Sequence, residues 1–422
     1  MKRIRVFLFF LCFVVIVVQG QNLTSPFNQS KFVPDISFIM DFSYISRDID
    51  NDIYSGLFTP DFTHHHQDED ASHEHSSTTR GFNFNYGELS LSSVVDPYSD
   101  LFAVIHFSPD HIEMEEAYFT TRSLPLGFQI KAGKFLSGFG RINEQHSHYL
   151  DFAERPLIVT SFFGDEGLNE IGARMSWVAP TQFYLMFGGE LLMGENEGSF
   201  GKTNIEDPNG LLNIHTNENP SLFVGYARTS FDIGEASILL GTSFAHGLTR
   251  HNEDFSSTEA EGSALDAITN IYGMDLTVKY IIDAIRSITF QNEALYRITD
   301  GTSYHRMNST IATGAINEAQ CGFYSQLISK LGLQWRAGVR YDALAFQEVS
   351  LNGQNENLPT YGHRFSGMIE YSPTEFSRFR LQINHDRSKY YFITDDLLSH
   401  KPFTEVILQC TISIGAHGAH SF

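Results

Sequence analysis

Three cysteines in 422 residues are too few for a disulfide scaffold. Charge is also scarce, at 18% of residues, and positive charge scarcer still: Lys+Arg number 28 against 50 Asp+Glu, a net charge of −22. Binding nucleic acid through phosphate contacts needs a basic surface, so no nucleic-acid partner is expected. After residue 18 no apolar run reaches the length of a membrane-spanning helix. With a mean hydropathy of −0.18, that excludes an all-helical membrane protein. A P-loop, a dinucleotide fingerprint, G-x-S-x-G and H-E-x-x-H are all missing, so an enzyme is not expected.

Aromatic residues, by contrast, are abundant at 14%, with 37 Phe and 18 Tyr. Many aromatics without long apolar runs favour strands over helices. The chain opens with MKRIR, then an apolar run over residues 6–18, then QGQ. This is the pattern of a secretory signal peptide over residues 1–20, followed by a short segment at 21–33. Removing the signal also removes Lys2, Arg3 and Arg5, leaving 25 basic and 50 acidic residues and a charge of −25. Cys321 and Cys410 then remain, and nothing in the sequence brings them together.

From residue 34 to 422, segments of about ten residues alternate with period two, as strands with two unlike faces do. One face of 270–283 carries Tyr272, Met274, Leu276, Val278 and Tyr280; the other carries Asp275, Thr277 and Lys279. In 333–343, Trp335, Ala337 and Val339 oppose Gln334, Arg336, Arg340 and Asp342. A soluble sandwich alternates in the same way. Two details favour a membrane barrel instead. Aromatics such as Tyr272 and Tyr280 sit near the ends of apolar faces, as interfacial girdles do. The connections also alternate in length. Short ones fall near 96–99, 124–127, 179–181, 232–235, 283–286, 330–332 and 372–377. Long polar ones fall near 49–80, 140–168, 194–220, 249–269, 300–316, 346–359 and 388–402. The fold class expected is all-β: a transmembrane antiparallel barrel of about sixteen strands, embedded in outer-membrane lipid. Alternation slips around 82–95 and 112–123, which either bulges or a register off by one would explain.

The stretch 115–156 reads EEAYFTTRSLPLGFQIKAGKFLSGFGRINEQHSHYLDFAERP. Its order of EAY, LP, GKF and FG resembles phosphate-selective-porin-like outer-membrane barrels. With FFGDEGLNEIG and the GAHGAHSF end, it is also similar to a group labelled zinc-regulated TonB-dependent outer-membrane receptors. The resemblance implies envelope uptake and, for the second group, a link to zinc. A TonB-coupled transporter needs a plug and a barrel of about 22 strands. Only some tens of residues precede the first strand near Pro34, so no plug and no TonB coupling are expected.

Candidate sites follow from residue type. The first long loop, 49–80, carries His64, His65, His66, His73 and His75 with Asp68, Glu69, Asp70 and Glu74. Five imidazoles among four carboxylates suit zinc or another divalent metal. A solvated acidic loop is the plainer alternative. No cofactor is otherwise required. Secondary pairs are His146 with His148, near Glu144 and Asp151, and His417 with His420. In the alternating register Lys279, Arg336, Arg340, Arg364, Arg378, Arg380, Asp275 and Asp342 point inward and would line a pore. The loop 140–168, with Glu144, Asp151, Glu154, Asp165 and Glu166, would fold in as a constriction. Its acids would face the arginines across a narrow opening and set up a transverse field. Otherwise the loop stays outside and the arginines pair with Asp342, Glu370 and Asp386. The function expected is passive uptake of small hydrophilic solutes, divalent metal ions or their complexes among them. The alternatives are a metal-binding surface receptor without a pore, or an outer-membrane enzyme with a dispersed triad. The sequence is compatible with a homo-oligomer.

Overall fold

The computed structural model describes residues 34–51, 54, 78–109, 111–196, 198–215, 218–253, 255–256, 261–307, 310–355, 362–390, 399–400 and 402–415. Sixteen long strands in these residues form one closed antiparallel barrel. They are β1 Asp35–Arg47, β2 Gly81–Asp96, β3 Ser99–Phe107, β4 Ile112–Thr121, β5 Phe128–Leu136, β6 Asn169–Val178, β7 Tyr184–Leu192 and β8 Leu222–Ile233. Then follow β9 Ala236–Glu253, β10 Glu261–Ile281, β11 Ser287–Met307, β12 Thr310–Lys330, β13 Trp335–Leu351, β14 Gly362–Thr374, β15 Ser377–Asp386 and β16 Phe403–Gly415. Each strand pairs with the next, and β16 pairs with β1, from Ser37 opposite Gly415 to Arg47 opposite Glu405. Closure leaves no edge with unpaired backbone groups, which is what a β-structure in lipid requires.

The alternation in sequence becomes an inside and an outside. Met274, Val339, Phe365 and Leu408 point outward and are exposed, whereas Asp275, Arg340, Arg364 and Gln409 point inward and are buried. Facing lipid, the outer surface satisfies its apolar side chains. Ring contacts gather into two bands. Phe244, Tyr272, Tyr296 and Phe346 run from β9 through β10 and β11 to β13 on the long-loop side. Phe128, Trp177 and Phe187 stack near the short turns, as do Trp335 and Tyr371. Tyr272 and Tyr280 are eight residues apart on β10, or about 27 Å of strand. A tilt of about 40° reduces that to roughly 21 Å, close to the apolar band of an outer-membrane barrel.

Two long connections expected from sequence are not loops. β10, β11 and β12 each run 21 residues, about twice what is needed to cross a bilayer. Segments 249–269 and 300–316 are therefore mostly the projecting ends of β-hairpins. Their inner faces are apolar enough to pack: Leu265, Ala267, Ile316 and Val349 form one buried cluster. Ile205, Phe255 and Ala264 form another, with Leu212 and Tyr304 against it.

The two slips in alternation are bulges. Between β1 and β2 the register steps from Asp41 opposite Tyr86 to Phe42 opposite Phe84, leaving Asn85 as the extra residue. Between β3 and β4 it steps from Val104 opposite Glu116 to Ile105 opposite Met114, leaving Glu115 as the extra residue. Glu115 and Glu116 are consequently both buried on the inner face. Cys321 and Cys410 are free thiols on β12 and β16.

Candidate functional site

The interior of the barrel is occupied by the segment 137–168, the third connection on the long-loop side. Gly133 sets its approach. Its φ is +138°, and a Cβ there would lie 2.1 Å from the Ala117 carbonyl oxygen. Only glycine allows this pairing of Tyr118 with Gly133 and Ala117 with Lys134, which joins the A-Y and G-K-F motifs. Gly140, at φ +66°, is the second such position, because a Cβ would lie 1.8 Å from Glu293 Oε1. With that space open, the Arg141 and Ile142 backbone N–H groups donate to the Glu293 carboxylate. The Gly138 N–H donates to Glu190 Oε1 at 2.8 Å, and the Gly140 N–H to Ser243 Oγ at 2.9 Å.

The segment then turns into a short helix, α1 Leu157–Phe163, whose Ile158, Val159, Phe162 and Phe163 are buried. These side chains join Phe139, Ile142 and Leu150 in an apolar core against Leu192, Val224, Ile271, Leu295 and Tyr324 of the wall. One side of the lumen is thus packed like the interior of a soluble protein.

The other side is ionic. Across β13, β14 and β15 charges alternate at directly opposed positions. Asp342 faces Arg364, which faces Asp386; Arg336 faces Glu370, which faces Arg380. Opposite charges at facing positions stabilise a sheet, and each arginine here has a carboxylate on the wall itself. The inserted segment docks on this ladder. Asp151 pairs with Arg336, and Glu154 Oε2 lies 2.6 Å from Arg364 Nη1. Arg340, Arg378 and Arg380 each donate at 2.8 Å to a loop carbonyl, those of Glu154, His148 and Leu150. The Leu157 N–H donates to Asp342 at 3.1 Å, and the Ala153 N–H to Gln382 at 2.8 Å.

Sequence reasoning set these arginines either against an inserted loop or against neighbouring strands; the structure does both at once. It differs on three points. First, loop and wall meet in direct ion pairs rather than across a gap. Second, Asp165 and Glu166 are exposed and do not reach the arginines. Third, Glu144 turns the other way, to Arg174 of β6 at 2.7 Å and Arg228 of β8 at 2.5 Å. Burial alone would raise the Glu144 pKa, but the two guanidiniums outweigh it and hold the carboxyl at about 2. Arg174 and Arg228 were not singled out from sequence, although each lies on the inward face of an alternating strand. Asp275 is buried and Lys279 half-buried, both near the turn end of β10.

His146 and His148 meet neither Glu144 nor Asp151, their neighbours in sequence. Their rings stack 5.7 Å apart and meet carboxylates of β2 and β4. His146 Nδ1 lies 3.1 Å from Glu115 Oε2, and its Nε2 lies 2.9 Å from Glu116 Oε2. His148 Nδ1 lies 2.9 Å from Glu88 Oε2. His106 of β3 completes the group, with Nε2 2.8 Å from Glu115 Oε2 and 3.4 Å from Glu88 Oε2. Burial pulls the His146 pKa down, but the two carboxylates that face its ring raise it well above the ordinary value. Glu88, His106 and Glu115 offer ligand atoms that all lie within 4.8 Å of one another. Sequence reasoning missed this trio. Its only sequence signal was the broken alternation at Glu115. The histidine-rich run, His64 to His75, and the pair His417 and His420 lie outside the described residues.

A closed sixteen-stranded barrel with an apolar outer belt, a polar inner wall and a third connection folded inward defines the class: a bacterial outer-membrane β-barrel of the porin fold. Solved outer-membrane proteins are similar to it in fold. One is OmpTdeltaL8, a loop L8 deletion mutant of the Vibrio cholerae outer membrane protein OmpT, with a TM-score of 0.51 at 8% identity. That match covers 91% of this chain and 100% of the other. Another is the outer membrane channel DcaP of Acinetobacter baumannii, with a TM-score of 0.51 at 11% identity, covering 92% and 98%. No family model matches the chain. In sequence it is 44% identical over 407 residues to an uncharacterized protein of Aquifex aeolicus (strain VF5), covering 96% of this chain and 83% of that one. The chain belongs to the same family as that protein.

Proposed function

We propose that this protein is a porin-like channel for passive passage of small hydrophilic solutes, with segment 137–168 as its constriction. The observation that carries the reading is the charged contact between that segment and the β13–β15 wall, inside a barrel whose inner face is polar on every strand of that wall. A polar wall lets a hydrated solute pass, and fixed charges at the narrowest point set its preference. The acidic excess, −22 over the whole chain, biases the mouth toward cations, with divalent metal ions among the solutes. The chemistry is transport without bond making, so no catalytic residue is assigned.

Planar-bilayer recording of the purified chain tests this. Discrete conductance steps of small size are expected, because the inserted segment fills much of the lumen. In a salt gradient, Arg336→Ala with Arg340→Ala should shift the reversal potential toward stronger cation selectivity. An insertion-competent, folded barrel that gives no steps, in wild type or in variants with a loosened segment, would leave a non-conducting surface protein as the reading.

A further inference from the structure

On the inner wall, buried carboxylates commonly meet arginine: Glu190 with Arg174, Asp342 with Arg340, Asp386 with Arg364 and Glu405 with Arg47. Arginine keeps its charge at any ordinary pH, so such pairs are permanent. Glu88 and Glu115 are different, for the ion pairs they make are with imidazoles. Both carboxylates are nearly inaccessible, at 2% and 7% exposure. Two carboxylates this deep need positive charge close by. Imidazoles supply it only when protonated; when neutral, they offer lone pairs to a metal instead.

The geometry suits an ion. Ligand atoms bound tetrahedrally at about 2.0–2.2 Å from a metal stand roughly 3.4 Å apart. His106 Nε2 lies 2.8 Å from Glu115 Oε2 and 3.4 Å from Glu88 Oε2, so small side-chain rotations open the space. The bulge at Glu115 turns two consecutive carboxylates inward, which an unbroken strand cannot do. Glu115 thereby faces His106 while Glu116 accepts the Leu136 N–H and faces His146. His146 and His148 hold Glu115 and Glu88 from the side of the inserted segment, as residues behind metal ligands orient them. His106 keeps 23% of its side chain exposed, which gives an ion a way in.

We propose that Glu88, His106 and Glu115 bind one divalent first-row transition-metal ion, of which Zn²⁺ is the type, inside the barrel. One nitrogen and two carboxylate oxygens select such an ion over Mg²⁺ or Ca²⁺, which prefer oxygen alone. The site uses no residue of the histidine-rich run at 64–75 and does not depend on conduction: a barrel without a pore would bind the ion equally. Because the same carboxylates hold His146 and His148, the bound ion also ties the inserted segment to β2–β4.

The test is Zn²⁺ titration by calorimetry on the full chain in detergent, with Co²⁺ absorption as a report of imidazole ligation. A variant lacking residues 64–75 is expected to keep one tight equivalent of Zn²⁺ per chain. His106→Asn with Glu88→Gln, in that background, is expected to lose it and the Co²⁺ spectrum. Glu115→Asp withdraws the carboxylate by one methylene and should weaken binding tenfold or more. It decides the matter if the double variant fails to fold, as judged by heat-modifiable mobility on gels. Loss of all tight binding on deleting 64–75, or equal binding by wild type and Glu115→Asp, would overturn the proposal. Bilayer currents recorded without added metal are a separate outcome, so failure of the channel reading and failure of the site remain distinguishable.

Discussion

Neutralising Asp151 and Glu154 together should release the inserted segment from the β13–β15 wall. Asp151 pairs with Arg336 and accepts from Gln326; Glu154 pairs with Arg364 and accepts from Asn384 at 2.9 Å. A buried hydrogen bond to a charged group contributes about 1.5–3 kcal/mol. These two carboxylates are 22% and 28% exposed, which places each near the low end. Neither arginine is stranded by the change, because Arg336 keeps Glu370 and Arg364 keeps Asp386. The large penalty for an orphaned buried charge is therefore avoided. The pair Asp151→Asn and Glu154→Gln should cost the docked state roughly 2–3 kcal/mol. At about 1.4 kcal/mol per tenfold, the undocked population rises some 30- to 150-fold. The strand ladder is untouched, so the barrel itself should resist heat as before. Single-channel recording reads the effect as more frequent visits to a higher conductance level, and brief proteolysis reads it as cleavage within 144–156. A double variant with unchanged gating and an equally protected segment would refute the argument that these ion pairs hold the inserted segment on the wall.

Gly140→Ala should displace the segment from the opposite wall, because its Cβ would sit 1.8 Å from Glu293 Oε1 at a left-handed φ. Proteolytic exposure near residue 140 with an intact barrel is the expected signature. Spin labels at Met274 and Val339 should meet lipid-soluble quenchers, and labels at Asp275 and Arg340 should not; the reverse would put the register off by one residue. Arginine in place of Met274 or Val339 should cost about 2–4 kcal/mol if that position is near mid-membrane, measured by unfolding in denaturant. Glu144 gives a pH dependence. Its folded pKa is depressed from 4.5 to about 2, so its stabilisation is complete above pH 4.5 and is lost as pH falls through 2. Docking followed by proteolysis-coupled acid titration should weaken across that window in wild type and less so in Glu144→Gln.

Much of the wall was legible in the sequence. Arg336, Arg340, Arg364 and Arg380 point inward because strand geometry puts every second residue on one face, and lipid cannot accept them on the other. The inserted segment was visible as a long acidic connection; that its apolar residues pack into the wall was not. The imidazole–carboxylate trio was not visible, for Glu88, His106 and Glu115 come from three strands and meet only through pairing. The bulge that turns Glu115 inward appeared in sequence only as noise in the pattern. Asp165 and Glu166 misled because charge in a loop carries no direction until the loop's backbone is placed.

By itself the sequence determined a period-two chain with one apolar and one polar face, and short turns alternating with long connections. In lipid, backbone hydrogen bonding leaves such a chain little choice but a closed barrel. Tertiary structure alone decided how far the hairpins project, which acids reach which arginines, and where imidazoles meet carboxylates. Those outcomes depend on register steps of one residue and on two glycines that let backbone approach a facing carbonyl or carboxylate. The periodicity of a strand encodes the face on which a residue lies; the neighbour it meets is set by pairing across the barrel, between residues far apart in the chain.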